Sequence, residues 1–154
     1  MDTASTTQEL LEREHLRELR YRYCEYLDAK AYDDWVSLFT DDVRFDARRV
    51  PGMDMLEGKD ELKTFIDEYL STASEFAAHH VFHPRLSIDD DTASGTWVLD
   101  EIAVSPDGTV CWMQGEYQDE YVRVHDGWKI AETSVVIHAQ AEIECMDMRY
   151  PHER

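Results

Sequence analysis

The chain has 154 residues, of which 43% are hydrophobic and 32% charged, and its formal net charge is −19. That length fits one domain with a real core. The charge argues against nucleic acid and anionic membranes as partners, which need basic surfaces, and no run approaches the roughly 18 apolar residues of a membrane-spanning helix.

Residues 1–7 read as a loose tail, and the opening stretch MDTASTTQELLERE is too polar and acidic for a secretory leader. Thr6–Thr7–Gln8–Glu9 has capping-box spacing, and Leu16, Leu19, Tyr23 and Leu27 follow at helical intervals. This predicts a first helix ending near Lys30. A short second helix carries Trp35, Leu38 and Phe39 and stops at Thr40–Asp41–Asp42. Residues 43–50 read as a strand followed by a turn at Pro51–Gly52. Gly58 precedes a third helix with Leu62, Phe65, Ile66 and Tyr69 on one face. From residue 77 the period becomes two, which predicts strands over about 78–88, 93–104, 109–124 and 128–140. Asp89–Asp90–Asp91, Pro106–Asp107–Gly108 and His125–Asp126–Gly127 supply the turns between them. The domain spans 8–141, and 142–154 is a C-terminal tail without a pattern. Helices followed by an antiparallel meander give an α+β class, with helices packed on one face of a curved sheet. No GxGxxG, P-loop or GxSxG motif occurs.

Cys24, Cys111 and Cys145 are odd in number, widely spaced and outside any CxxC pattern. They read as free thiols of a reducing compartment, so a cytoplasmic location is expected. Four lysines stand against eleven arginines, and such an acidic, lysine-poor surface suits a salty interior. Self-repulsion would then destabilise the fold at low ionic strength, because the screening length grows from about 3 Å at 1 M salt to about 30 Å at 0.01 M. The melting temperature is expected to rise markedly with KCl. A flat profile from about 0.05 to 2 M overturns the expectation.

The stretch AAHHVFHPRLSID, residues 77–89, places His79, His80 and His83 in a segment that reads as a strand. On a helix, His79 and His83 would have metal-chelating spacing. On a strand they stand ~13 Å apart, at about 3.3 Å per residue, and Pro84 forbids a helix interior there. No metal site is expected. A proton-transfer site needs an inward histidine and a partner that fixes its tautomer. If Leu86 and Ile88 face the helices, strict alternation turns His80 and Phe82 inward. A bulge at Pro84 would instead turn in His79, Val81 and His83. Asp28 is a candidate partner, since an anion at a helix C-terminus opposes the helix dipole. Tyr23 and Tyr26 lie on the same helix. Asp100–Glu101 interrupts an apolar strand and must send one carboxylate to each face. Tyr117, Asp119 and Tyr121 share one face of the following strand, with Gly115 permitting close approach.

The segments YRYCEYLDAKAYDDWVSLFTDDVRFD, HHVFHPRLSID and GEYQDEYVRVHDGWKIAET, in that order, resemble the nuclear transport factor 2-like superfamily in its SnoaL-like branch. Within that branch the chain looks most similar to bile acid 7α-dehydratases and, more distantly, to scytalone dehydratases. The resemblance implies a cone-shaped, curved, mostly antiparallel sheet and three N-terminal helices enclosing an apolar pocket. It implies that His79, not His80, faces that pocket. It carries catalytic roles onto Tyr23, Asp28, His79 and Glu101, with glutamate at the last position where the dehydratase has aspartate. An anion-binding arginine of that enzyme falls near Ile137, beside His138, so its substrate does not carry over.

The implied function is a cofactor-independent acid–base lyase acting on a small, largely apolar carbonyl or hydroxy compound. His79 would act as base and then acid, Asp28 would hold the imidazole, Tyr23 would bond the substrate oxygen, and Glu101 or Asp100 would assist. Asp100, Tyr117, His83, His138 and Trp97 complete the expected substrate-binding set. An isomerase or polyketide cyclase could use the same groups, and a non-catalytic ligand-binding or assembly protein could use the same fold. The expected partners are a small-molecule substrate and further copies of the chain, a trimer rather than a dimer.

Overall fold

Leu16, Leu19, Arg20, Tyr23 and Cys24 form one buried stripe on the first helix, at the i, i+3, i+4 spacing of a core-facing surface. The computed structural model describes residues 3–50, 52–125 and 127–143, and in it this helix, α1, runs Thr3–Asp28. It therefore begins before the Thr6 capping box. It closes in a Schellman motif: Ala31 N–H donates to Tyr26 O at 2.8 Å and Lys30 N–H to Leu27 O at 3.0 Å. Lys30 takes the left-handed position of that motif, with φ 56°.

The second helix, α2 (Tyr32–Ser37), ends earlier than its sequence pattern predicts, and strand β1 (Phe39–Arg49) begins four residues sooner. Phe39 pairs in parallel with Ile130, and Thr40–Asp42 are strand residues beside a register shift. Long-range pairing takes these residues from the helix that their local pattern favours. A short strand β2 (Met55–Glu57), absent from the predicted elements, pairs with β1 and leads into α3 (Gly58–Phe65). A π-helical turn (Ile66–Leu70) and α4 (Ser71–Ala73) complete the helical layer.

The remaining strands are β3 (Phe76–Asp89), β4 (Thr92–Val104), β5 (Val110–Val124) and β6 (Gly127–Ile143). With β1 and β2 they form a six-stranded curved, open sheet in the order β2-β1-β6-β5-β4-β3. Only the β1–β6 pairing is parallel. β6 continues two residues past the predicted domain end at 141, and the tail from 144 onward, with Cys145, lies outside the described residues. So do Pro51 and Asp126 of the expected turns. Cys24 and Cys111 are free thiols. No helix among the described residues is long and apolar enough to cross a membrane.

The buried face of the sheet reads down alternate positions. On β4 it carries Ala93, Gly95, Trp97 and Leu99, and on β5 Gly115, Tyr117, Asp119 and Tyr121. Gly115 sits where β5 and β6 shift register. A Cβ there would stand 2.1 Å from the Val136 carbonyl oxygen, a backbone atom that cannot rotate away. Gly115→Ala is expected to cost about 1–3 kcal/mol through this overlap. Urea melts check it, and an unchanged midpoint would contradict the close approach.

Candidate active site

A bulge decides which histidine turns inward. The β3–β4 register slips between Phe82 and Arg85, with His83 at φ 50° and Pro84, which lacks an N–H, inside the slip. The inserted residue changes the phase of β3. Leu86 and Ile88 pack on the core below the bulge, and Val81 packs on it above. His79 shares the face of Val81 two residues further along.

In this register His79 is paired with Glu101, the next residue after Leu99 on the buried face of β4. Helix α1 ends at Asp28 against the same point. Asp28 Oδ1 lies 2.6 Å from His79 Nδ1, and the two carboxylate oxygens accept from the His79 backbone N–H at 3.1 and 3.0 Å. A carboxylate can only accept, so Nδ1 carries the proton and Nε2 is left for chemistry. Nε2 stands 3.4 Å from Glu101 Oε1. The His79 and Glu101 side chains are 12% and 13% exposed and Asp28 is 31% exposed, so the group sits at the rim of the interior.

Burial lowers the basicity of His79, but the hydrogen bond to Asp28 and the charges of Glu101 and Asp28 outweigh it, and the net shift is upward. Burial, opposed by His79, pushes the Glu101 carboxyl above its ordinary value of 4.5. Asp28, His79 and Glu101 thus form a row of two carboxylates bridged by an imidazole, and together they can store and pass a proton.

The other expected site residues occupy different places. Tyr23 and Tyr117 are buried in the interior, with ring centroids 5.5 Å apart, and burial pushes both phenols well up. Trp97 lies deeper still and donates to Tyr121 Oη at 3.0 Å. Asp100 points to the opposite face of the sheet from Glu101, where it accepts from Trp112 Nε1 at 3.2 Å. His138 is also on that face, exposed, with Nε2 3.5 Å from Glu116. His83 is exposed at the bulge. Asp100, His138 and His83 are therefore not brought to the His79 group, because strand alternation and the bulge direct them away.

Behind the His79 group the interior is largely aromatic. Trp35, Phe39, Leu99, Tyr23 and Tyr117 pack together there. Two cavities, of about 660 and 370 Å³, lie elsewhere, and neither is lined by Asp28, His79 or Glu101. Among the described residues no group of three or more potential ligands could hold a metal ion.

Arg20 was not among the expected site residues. Its side chain is fully buried, with the guanidinium carbon 4.0 Å from the Tyr23 ring and 3.4 Å from the Tyr117 ring. It pairs with Asp119, 3.6 Å away, which accepts from Tyr121 Oη and Thr133 Oγ1 at 2.6 and 2.7 Å. A signal for it exists in the sequence: Arg20 falls inside the apolar stripe, four residues after Leu16 and three before Tyr23.

The SnoaL-like domain family model matches residues 8–134. This chain belongs to the SnoaL-like family. An uncharacterised relative from Mycobacterium tuberculosis (strain H37Rv) is 27% identical over 124 residues, covering 79% of this chain and 82% of the relative. A hexachlorocyclohexane dehydrochlorinase of type 3 from Novosphingobium barchaimii superposes with a TM-score of 0.84 at 14% identity, covering 95% of this chain and 99% of that one. A provisionally assigned scytalone dehydratase from Novosphingobium aromaticivorans superposes with a TM-score of 0.78 at 19% identity, covering 92% and 93%. At these identities the two structures show the shared SnoaL-like (nuclear transport factor 2-like) fold, with helices on the N-terminal side of a curved sheet.

Proposed function

We propose that the protein is an acid–base lyase of the dehydratase type, acting on a small carbonyl compound with a hydroxyl on the β-carbon. The observation that carries this is His79 held between two carboxylates, with Nδ1 fixed by Asp28 and Nε2 facing Glu101. With Nδ1–H committed, the neutral imidazole presents Nε2 as a base. Nε2 takes the proton from the carbon next to the carbonyl. The electron pair forms the new C=C bond as the C–O bond to the β-hydroxyl breaks. The Glu101 carboxyl, which burial makes a weaker acid, gives its proton to that departing oxygen, and water leaves. The enzyme then holds imidazolium at His79 and carboxylate at Glu101. Proton transfer from Nε2 to Oε1 restores the starting state. Asp28 stabilises the imidazolium throughout.

The dehydrochlorinase and dehydratase names of structural neighbours agree with eliminations of this kind. Tyr23 and Tyr117 line the interior behind the dyad, and burial keeps both phenols protonated, so each has an O–H that can be donated to a substrate oxygen. Isomerisation would use the same proton transfers without a leaving group.

An NMR titration of the His79 ring tests the assignment. It is expected to titrate above the ordinary histidine value, and Asp28→Asn should move it downward by removing the negative partner. A ring that titrates at the ordinary value and ignores Asp28→Asn would remove the coupled pair from consideration.

A further inference from the structure

Among the described residues, none of the three guanidinium nitrogens of Arg20 has a hydrogen-bond partner. Asp119 balances the charge from 3.6 Å, but its oxygens already accept from Tyr121 and Thr133. A guanidinium out of water with unfilled donors is costly, and an apolar side chain would meet the packing needs of this stripe without that cost. Arg20, Cys24 and Asp28 recur at four-residue spacing on one face of α1, about 6 Å apart per step. The cation therefore lies about two turns inward from the dyad, flanked by the rings of Tyr23 and Tyr117.

We propose that Arg20 is a binding residue that anchors an anionic oxygen of the substrate, with the ligand body extending between Tyr23 and Tyr117 toward His79. This rests on the acid–base reading above and adds a substrate class to it: small aryl carboxylates or phenolates. The planar guanidinium matches two carboxylate oxygens side by side. The two rings meet edge to face, with centroids 5.5 Å apart and planes at 68°, and a flat aryl ring stacks on either of them once they part. Entry requires the Tyr23 and Tyr117 rings to part, and the binding free energy of the anion would drive that change.

Isothermal titration with benzoate and its neutral isostere benzamide tests the anchor. Wild type is expected to bind benzoate at least about tenfold more tightly than benzamide, the charge-assisted pair making the difference. Arg20→Met should abolish the preference, and Arg20→Lys, which keeps the charge without the fork, should retain part of it. Circular dichroism reports whether each variant folds. If Arg20→Met does not, the wild-type preference and its reduction in Arg20→Lys decide. Equal affinities in wild type, or a preference that survives Arg20→Met, overturn the anchor. His79→Ala should keep the preference. An intact preference beside unaltered turnover in His79→Ala condemns the acid–base reading alone. Turnover of neutral substrates that depends on His79, with no benzoate preference, condemns the anchor alone.

Discussion

His79→Ala is expected to lower turnover by at least about 10²-fold, the low end for loss of a general base, with little change in substrate affinity. The imidazole is the group whose free Nε2 faces Glu101, and alanine removes it without filling the rim of the interior. Asp28→Asn keeps the shape and one acceptor oxygen but deletes the charge that stabilises imidazolium. It should cost nearly as much. The double variant should be little worse than either single one, because residues acting as a unit are strongly non-additive. Asp28 also accepts the His79 backbone N–H, so part of its effect is to hold the end of α1 against β3. His80→Ala is the control, since His80 is exposed and turned to the other face of the strand. A screen of cyclic hydroxy-ketones and β-hydroxy-carbonyl compounds supplies the assay. Full activity in His79→Ala, or losses that multiply in the double variant, would refute the dyad.

The second large effect is on stability and lies at the other end of α1. Glu12 accepts from Trp128 Nε1 at 2.8 Å, Arg123 Nη1 at 2.9 Å and Gln8 Nε2 at 2.7 Å, and its side chain is 11% exposed. The Trp128 hydrogen bond, opposed by burial and aided by Arg123 and Gln8, lowers its pKa from 4.5 to about 2. A carboxylate more acidic when folded stabilises the fold above its unfolded pKa, and that contribution disappears as pH falls through the folded value. The lowering corresponds, after solvent screening, to about 1–3 kcal/mol at neutral pH. Glu12→Gln should therefore lose roughly that much at pH 7, and the gap to wild type should shrink steadily as pH falls below about 4.5. Urea melts across that range measure it. A gap independent of pH would mean that the charge of Glu12 is not what ties α1 to β5 and β6.

Much of this arrangement was legible in the chain. The apolar stripe of α1 and the period-two segments after residue 77 placed the long helix and the four long strands within a few residues. Asp28 stood out as an acid at a helix C-terminus, and the Asp100–Glu101 pair had to divide between two faces. Other features were not local. Phe39 fits a helical pattern as well as a strand, and its parallel pairing with Ile130 made it a strand residue. Arg20 lies in register with the apolar stripe of α1, but the packing of Tyr23 and Tyr117 around it is a tertiary contact that no local pattern shows.

The sequence by itself determined an α+β chain with one long helix ahead of a meander, and it put Asp28, His79 and Glu101 forward as candidates. The tertiary structure decided which of them meet. In a strand, one inserted residue reverses the direction of every side chain beyond it, so the choice between His79 and His80 rested on the bulge at His83–Pro84. The choice of Glu101 over Asp100 followed from the β3–β4 register, which sets Glu101 opposite His79. The end of α1 met β3 only because the helix packs across the sheet. Such contacts join residues 51 positions apart in the case of Asp28 and His79, a separation that no local pattern encodes.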